Sequence, residues 1–164
     1  MTNQSYEEII YSLEGDVALI TLNRPEKYNA WTGKMAAELK HALESAENNK
    51  GVVGIVITGA GKAFCSGADM AGLQALAGGQ GAGVVAGETS LDANPGDPNM
   101  PEAYRKTFSY FASIQKPIIA AINGAVAGMS LGMVLFCDMR FFAKKGFVMS
   151  AFPQRGLVAE FYLA

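Results

Sequence analysis

The chain has 164 residues, of which 50% are hydrophobic and 17% charged, with a formal net charge of −2. This composition excludes a wholly disordered chain, and the weakly negative charge gives no basic surface for nucleic acid. The length predicts one domain over 1–164. Two cysteines cannot build a disulfide scaffold, so we expect a reducing, cytoplasmic setting. Glycine is abundant, at 19 residues, which suggests that the backbone closely approaches another group.

Short apolar segments predict strands and the stretches between them predict helices, so the expected fold class is α/β. The predicted strands are 6–13, 16–23, 52–58, 118–122, 139–143 and 147–148. Glu14-Gly15 joins the first two as a hairpin. Thr32 is a predicted N-cap for an amphipathic helix over 33–47.

The middle of the chain predicts an insert followed by a helix. Residues 71–100 are rich in glycine and proline, which predicts a long flexible insert with a helical start over 71–77. A second amphipathic helix is predicted after Pro101. Its apolar face would contain Tyr104, Phe108, Phe111 and Ile114.

The residues from Pro117 to Cys137 carry no charge, and a run of this length could span a membrane. Asn123-Gly124 is a turn signal in its middle, with β-branched residues before it and a helix-like segment after it. A strand, a turn and a buried helix ending near Cys137 explain the run more simply. We therefore expect no association with a membrane.

Two glycine-containing turns lie where a predicted strand leads towards a helix, one at Gly67 and one at Gly124 to Gly128. Backbone N–H groups at a helix N-terminus favour negative charge. Two such donors that converge on a carbonyl oxygen would form an oxyanion hole. Ordinary packing glycines would show the same spacing, so the pattern alone leaves both interpretations open.

Other catalytic machinery has little support. His41 is the single histidine and is expected on a helix surface, which argues against a Ser-His-Asp triad or a histidine-rich metal site. Cys65 is expected to be a small buried residue rather than a nucleophile. Trp31 is expected to pack where the first helix begins.

Four segments, in this order, resemble the crotonase superfamily, also called the enoyl-CoA hydratase/isomerase family. They are 22–30 (LNRPEKYNA), 61–70 (GKAFCSGADM), 116–124 (KPIIAAING) with Gly128, and 137–140 (CDMR). The resemblance covers nearly the whole chain. It implies a crotonase-like spiral of β-β-α units, here C-terminally truncated.

By this resemblance, the backbone amides of Ala68 and Met129 would hold the enolate oxygen of an acyl-CoA thioester. The residues that would border the substrate or its CoA are Lys27, Tyr28, Ala30, Lys62, Gly67, Asp69, Met70, Gly128 and Phe152. Lys27 and Lys62 would meet CoA phosphates, or simply lie in solvent as exposed lysines do. Asp69 has a position that suggests a structural hydrogen bond. The insert would be a mobile wall of the acyl pocket or a simple loop expansion.

The chain departs from the family pattern at the two glutamates with which hydratases activate and deliver water. Gly132 and Phe152 occupy these positions and cannot transfer a proton, so hydration is not expected. Glu160 resembles the position of an acid in the dienoyl-CoA isomerase branch. The resemblance therefore implies isomerase-type proton transfer, while a capping or surface role is the alternative for Glu160. A catalytically inactive acyl-CoA-binding or interaction protein is the alternative function.

Members of the family usually continue through a further helical region that joins subunits in trimers or hexamers. This chain ends at Ala164. Without that region apolar surface would be exposed, which typically means contact with a partner. We therefore expect a homo-oligomer that takes a small-molecule acyl-CoA substrate. No metal and no separate cofactor are expected, because coenzyme A is part of the substrate.

Overall fold

A computed structural model describes residues 5–71, 74, 91–156 and 158. The strands in these ranges are β1 (Ile9–Glu14), β2 (Val17–Leu22), β3 (Gly54–Gly59), β4 (Ala63–Cys65), β5 (Ile118–Ile122), β6 (Ala125–Ala127), β7 (Met139–Phe142) and β8 (Val148–Met149). The α-helices are α1 (Gly33–Asn48) and α2 (Met129–Phe136). Short 3-10 segments lie at Pro25–Lys27, Glu102–Arg105, Ser109–Ser113 and Pro153–Arg155.

The strands form two sheets, with the orders β1-β2-β3-β5-β7 and β4-β6-β8. The β1–β2 hairpin is antiparallel, and every other pairing is parallel. Gly15 takes a φ of 61° in the hairpin turn, as predicted at Glu14-Gly15. The central strands of the larger sheet are rich in isoleucine and largely buried, as is typical of parallel strands covered on both faces.

The helix α1 forms where the sequence predicts it. The Thr32 side chain accepts a hydrogen bond from the Met35 N–H at 3.0 Å, so Thr32 is the N-cap. One face of α1 is completely buried and consists of Met35, Leu39, Ala42, Leu43 and Ala46. Lys116 donates to the carbonyls of Ala46 and Asn49 at the other end, where a cation suits the helix dipole.

The prediction of an α-helix after Pro101 is wrong. Two 3-10 segments replace it, and Phe108 between them takes a left-handed φ of 62° that an α-helix cannot contain. Phe108 thereby packs edge to face against Trp31, with 5.1 Å between ring centroids. Phe108 and Phe111 are buried, but Tyr104 is exposed. Aromatic packing has therefore overridden the helical spacing of these residues.

The uncharged run from Pro117 to Cys137 divides into β5, a turn, β6 and α2. The strand, the turn and the buried helix predicted there are confirmed. Among the described residues, no helix has the length and the apolar character needed to cross a membrane.

The predicted insert over 71–100 lies partly outside the described residues. Ala71 and Gln74 are helical, and most of the predicted helical start at 71–77 lies outside them as well. The described end of the insert is held against α1, because Asn94 and Gly96 donate their N–H groups to Glu44 and Glu47.

Candidate active site

The strands β4 and β6 bring Gly67 and Gly128 together. The prediction of one turn over 124–128 is corrected, because β6 (Ala125–Ala127) lies inside it and only Gly128 forms the turn before α2. The two strands are parallel neighbours, with Ala63 opposite Ala125 and Cys65 opposite Val126. Because the carboxyl ends of parallel strands lie at the same edge of a sheet, the segments that follow both strands meet there. Gly67-Ala68 follows β4, and Gly128-Met129 follows β6 and opens α2.

The two turns touch at their glycines. Gly67 has a φ of 95°, and a Cβ at this position would lie 2.8 Å from the Ala127 carbonyl oxygen and 3.7 Å from the Gly128 Cα. A side chain at residue 67 would thus be strained by its φ and would clash with the backbone of the second turn. The close approach of these turns requires glycine at position 67.

Gly67 and Asp69 pair with Trp31, and this pairing leaves the Ala68 N–H without an acceptor among the described residues. Trp31 donates its N–H to the Gly67 carbonyl at 2.8 Å and accepts the Asp69 N–H at 3.0 Å. In this parallel bridge the N–H of Ala68 itself points to the opposite side of the chain. The Ala68 N–H donates to no residue that the structure describes.

Met129 is the second residue whose N–H has no acceptor among the described residues. It is the first residue of α2, and an N–H at this position has no acceptor within the helix. Gly128, with a φ of 56°, donates its own N–H to Met149 at 3.0 Å and so fixes the entry to α2. The helix dipole adds partial positive charge at this end. Two adjacent turns therefore offer backbone donors that suit an oxygen gaining negative charge.

Arg24 lies in the segment before α1, and its side-chain contacts stabilise the first turn. Its guanidinium contacts the Asp69 carboxylate at 3.1 Å, the Ala30 carbonyl at 2.7 Å and the Glu8 carboxylate at 3.3 Å. Asp69 also accepts the Ala71 N–H at 3.0 Å. These contacts support the structural hydrogen-bonding role expected for Asp69.

Asn29 and Asn123, to which the sequence assigned no role in the site, fix the loop that leads into β4. Asn29 is fully buried, and its side-chain amide donates to the carbonyls of Ala60, Ala63 and Phe64 at 2.9 to 3.1 Å. Asn123 donates to the Ala63 carbonyl from the other side, at 3.2 Å. An asparagine beside each turn is a weak sequence signal, because asparagine is common in turns for local reasons.

A family model for enoyl-CoA hydratase/isomerase matches residues 12–164. The chain belongs to the enoyl-CoA hydratase/isomerase family. It is 37% identical over 152 residues to "Probable enoyl-CoA hydratase EchA14" of Mycobacterium tuberculosis, covering 93% of this chain and 53% of that protein. It is 32% identical over 150 residues to the peroxisomal Delta(3,5)-Delta(2,4)-dienoyl-CoA isomerase of Arabidopsis thaliana, covering 90% and 52%.

The crotonase fold is also evident from solved structures. The crystal structure of an enoyl-CoA hydratase from Polaromonas sp. JS666 matches with a TM-score of 0.73 and 28% identity, covering 93% of this chain and 55% of that one. The chain spans about half the length of the curated relatives that it matches. The matched half contains both glycine turns.

Two other residues predicted to border a CoA ester, Tyr28 and Ala30, lie in the segment of this enoyl-CoA hydratase/isomerase family chain that bonds to the first turn. The Tyr28 carbonyl accepts the Ser66 N–H at 3.0 Å, and the Tyr28 side chain is exposed. Ala30 is buried, whereas Lys27, Lys62 and Met70 are exposed. A Cβ on Gly61 would lie 2.9 Å from Pro25, so the loops that carry Lys27 and Lys62 are neighbours. Lys27, Tyr28 and Lys62 are thus exposed on two loops that lie next to each other.

The resemblance would place the family's catalytic glutamates at Gly132 and Phe152, and neither residue has a proton-transferring side chain. Gly132 lies in the first turn of α2, three residues after Met129 and so on the same face of the helix. Phe152 is buried at the start of the segment Pro153–Arg155. Glu160, the carboxylate predicted to replace the glutamates, lies outside the described residues.

Cys65 is buried as the sequence predicts, whereas His41, expected on a helix surface, is only partly exposed and packs against Tyr6. Burial raises the pKa of the Cys65 thiol to about 11, so the thiol is neutral near pH 7 and is a poor nucleophile. His41 lies on α1, where its Nδ1 is 2.7 Å from the Tyr6 hydroxyl. Among the described residues, no group of three or more His, Cys, Asp or Glu side chains is arranged to hold a metal ion.

Proposed function

We propose that this protein binds acyl-CoA thioesters and stabilises their enolates between the amides of Ala68 and Met129, with isomerase-type proton transfer by Glu160. The observation that supports this proposal is the contact between the Gly67 and Gly128 turns, because Ala68 and Met129 follow these glycines at one edge of the β4–β6 pair. One oxyanion donor is typically worth about 3 kcal/mol in the transition state.

The proposed reaction moves one proton and adds no water. The Glu160 carboxylate removes a proton from the α-carbon of the thioester, or from the γ-carbon of an unsaturated thioester, and the electron pair of that C–H bond moves through the π-system onto the thioester oxygen. The Ala68 and Met129 N–H groups stabilise the resulting enolate. Glu160 then returns the proton to another carbon of the conjugated system, which shifts the double bond and restores the carboxylate.

Hydration is disfavoured by the residues at the two glutamate positions. Water addition needs one group to activate the water and another to deliver a proton. Gly132 has no side chain, and the buried Phe152 ring is apolar. Isomerisation requires a single base, so it is the family reaction that remains available to this chain.

Coenzyme A is proposed to bind over the first turn. Lys27 and Lys62 lie on neighbouring exposed loops and would attract its phosphates, while the exposed Tyr28 ring offers a face for the adenine. We propose no further cofactor.

Proton exchange in D2O provides the test. The purified chain is incubated in D2O with saturated and with unsaturated acyl-CoA, and mass spectrometry measures deuterium at the α- and γ-carbons. We expect exchange in the wild type and its loss in Glu160→Gln, with Glu102→Gln as a control on an exposed carboxylate. Failure of acyl-CoA to bind in calorimetry would refute the proposal, and robust hydration of crotonyl-CoA would refute the isomerase assignment.

A non-catalytic acyl-CoA-binding protein is the second candidate. It is favoured by the residues at the two glutamate positions, Gly132 and Phe152, which cannot transfer a proton. Such a protein would bind the thioester through the same amides and would show no exchange. Tight binding without deuterium incorporation would select this candidate.

Self-association is proposed on the apolar surface of β7 and its surroundings. The large apolar residues exposed there are Leu135, Met139, Phe141, Phe142, Phe147, Val148 and Met149. A surface of this kind is typical of a contact with another protein. We propose that a second copy of the chain covers it.

A further inference from the structure

Ser130 joins the two turns that carry the free amides. Its side chain is completely buried, and its Oγ lies 2.8 Å from the Cys65 carbonyl oxygen and 2.7 Å from the Ala127 carbonyl oxygen. Its Oγ also accepts the Ala127 N–H at 3.2 Å. The hydroxyl has one proton, so the two carbonyls share it, while a lone pair serves the amide.

These contacts lie where the backbone pairing stops. The β4–β6 ladder shifts its register between Ala63 and Cys65, and its last pair is Cys65 with Val126. Cys65 is three residues before Ala68, and Ala127 is two residues before Met129. Beyond the ladder, the Ser130 hydroxyl is a cross-link between the end of β4 and the start of α2.

Ser113 is a buried serine that makes no such cross-link, and it serves as a comparison. Its Oγ donates to the carbonyl three residues earlier, that of Tyr110, at 2.8 Å. Ser130 makes the equivalent bond to Ala127, and in addition it reaches Cys65 on another strand, 65 residues away in sequence. The second bond is not explained by the local preference of serine for its own helix turn.

We propose that Ser130 is a positioning residue that sets the spacing between the Ala68 and Met129 amides. This inference rests on the proposed function, since the spacing matters only when one oxygen binds both amides. The donors of an oxyanion hole stabilise the transition state because they are already held in position before the reaction. Without the cross-link the two turns can move apart, and the donors then polarise the thioester carbonyl less.

Infrared difference spectroscopy with butyryl-CoA carrying a 13C-labelled thioester carbonyl measures this polarisation directly. In the wild type, hydrogen bonds from both amides should move the carbonyl band to lower frequency than in solution. In Ser130→Ala we expect about half of this shift to be lost and α-proton exchange in D2O to slow about tenfold, with the Kd for butyryl-CoA changed less than about threefold. Ser130→Thr, which keeps the hydroxyl, should restore most of the band shift.

Ser113→Ala is the matched control, because it removes a buried serine hydroxyl from a helical turn away from both amides. It should leave the band and the exchange rate at wild-type values. A Ser130→Ala protein that keeps the wild-type band shift and exchange rate would overturn the role of Ser130. A wild-type protein that binds butyryl-CoA without any band shift would instead refute the oxyanion hole itself. If Ser130→Ala does not fold, Ser130→Cys keeps the side-chain size with a weaker donor, and an unchanged band there would equally overturn the role.

Discussion

Gly67 and Gly128 come from turns 61 residues apart in sequence, and a Cβ on Gly67 would lie only 3.7 Å from the Gly128 Cα. Each glycine immediately precedes a residue whose amide is free among the described residues. The candidate site therefore consists of backbone groups. Its geometry depends on the lack of a side chain at the glycines as well as on the side chains that hold the two turns.

Substitution Gly67→Ala is expected to reduce α-proton exchange about a hundredfold or more, because the added Cβ would push the Ala127 carbonyl and open the site. Its φ of 95° also adds a strain of about 1–2 kcal/mol. Deuterium incorporation and urea unfolding measure the two effects separately. Gly15→Ala is the control, since Gly15 also has a positive φ but a Cβ there meets nothing within 4 Å. Equal activity losses in the two variants would contradict the steric explanation.

Substitution Asn29→Asp is expected to destabilise the fold by about 3 kcal/mol or more. The change replaces an amide that donates to three carbonyls with a carboxylate oxygen that repels them. Chemical denaturation measures the loss in the free energy of unfolding. Asn49→Asp is the matched control, because Asn49 uses only its Oδ1, as the acceptor for the Gly51 N–H, and aspartate keeps that atom. We expect a change within about 0.5 kcal/mol there, and a similar cost at both positions would refute the role assigned to the Asn29 amide.

The sequence correctly predicts those elements whose structure depends on residues that are neighbours in the chain. The strand at 118–122 is found at Ile118–Ile122, and the helix predicted over 33–47 is found at Gly33–Asn48 with Thr32 as its cap. The helix after Pro101 fails because Phe108 satisfies a contact with Trp31, which no local pattern encodes.

The same division applies to the candidate site. Glycines at the ends of strands predict both turns, because a backbone position with a positive φ favours glycine. The roles of Asn29 and Ser130 depend on their bonds to Ala63 and Cys65, which lie more than 30 positions away, so spacing cannot reveal them.

The stability of the fold should decrease in alkaline solution because of its buried cysteines. Burial raises the pKa of Cys65 from 9.0 to about 11 and that of Cys137 to about 12. Above pH 9 the unfolded thiols lose protons that the folded ones retain, so the free energy of unfolding falls as pH rises from about 9 to 11. Urea unfolding across this range measures the slope. Cys65→Ala should show a shallower decline than the wild type, and parallel declines would show that Cys65 does not contribute.

Substitution Phe141→Asp is expected to weaken self-association without unfolding the chain, because Phe141 is 63% exposed on β7 and its aromatic ring contributes little to the core. A charge in the middle of the apolar surface would have to be desolvated on association, which raises the dissociation constant by at least about tenfold. Sedimentation equilibrium measures the oligomeric state. Val53→Asp is the control, since Val53 is 65% exposed in the segment before β3, outside the surface of β7 and its surroundings. A wild-type chain that remains monomeric at high concentration would refute the proposed self-association, and equal weakening by both substitutions would place the contact elsewhere.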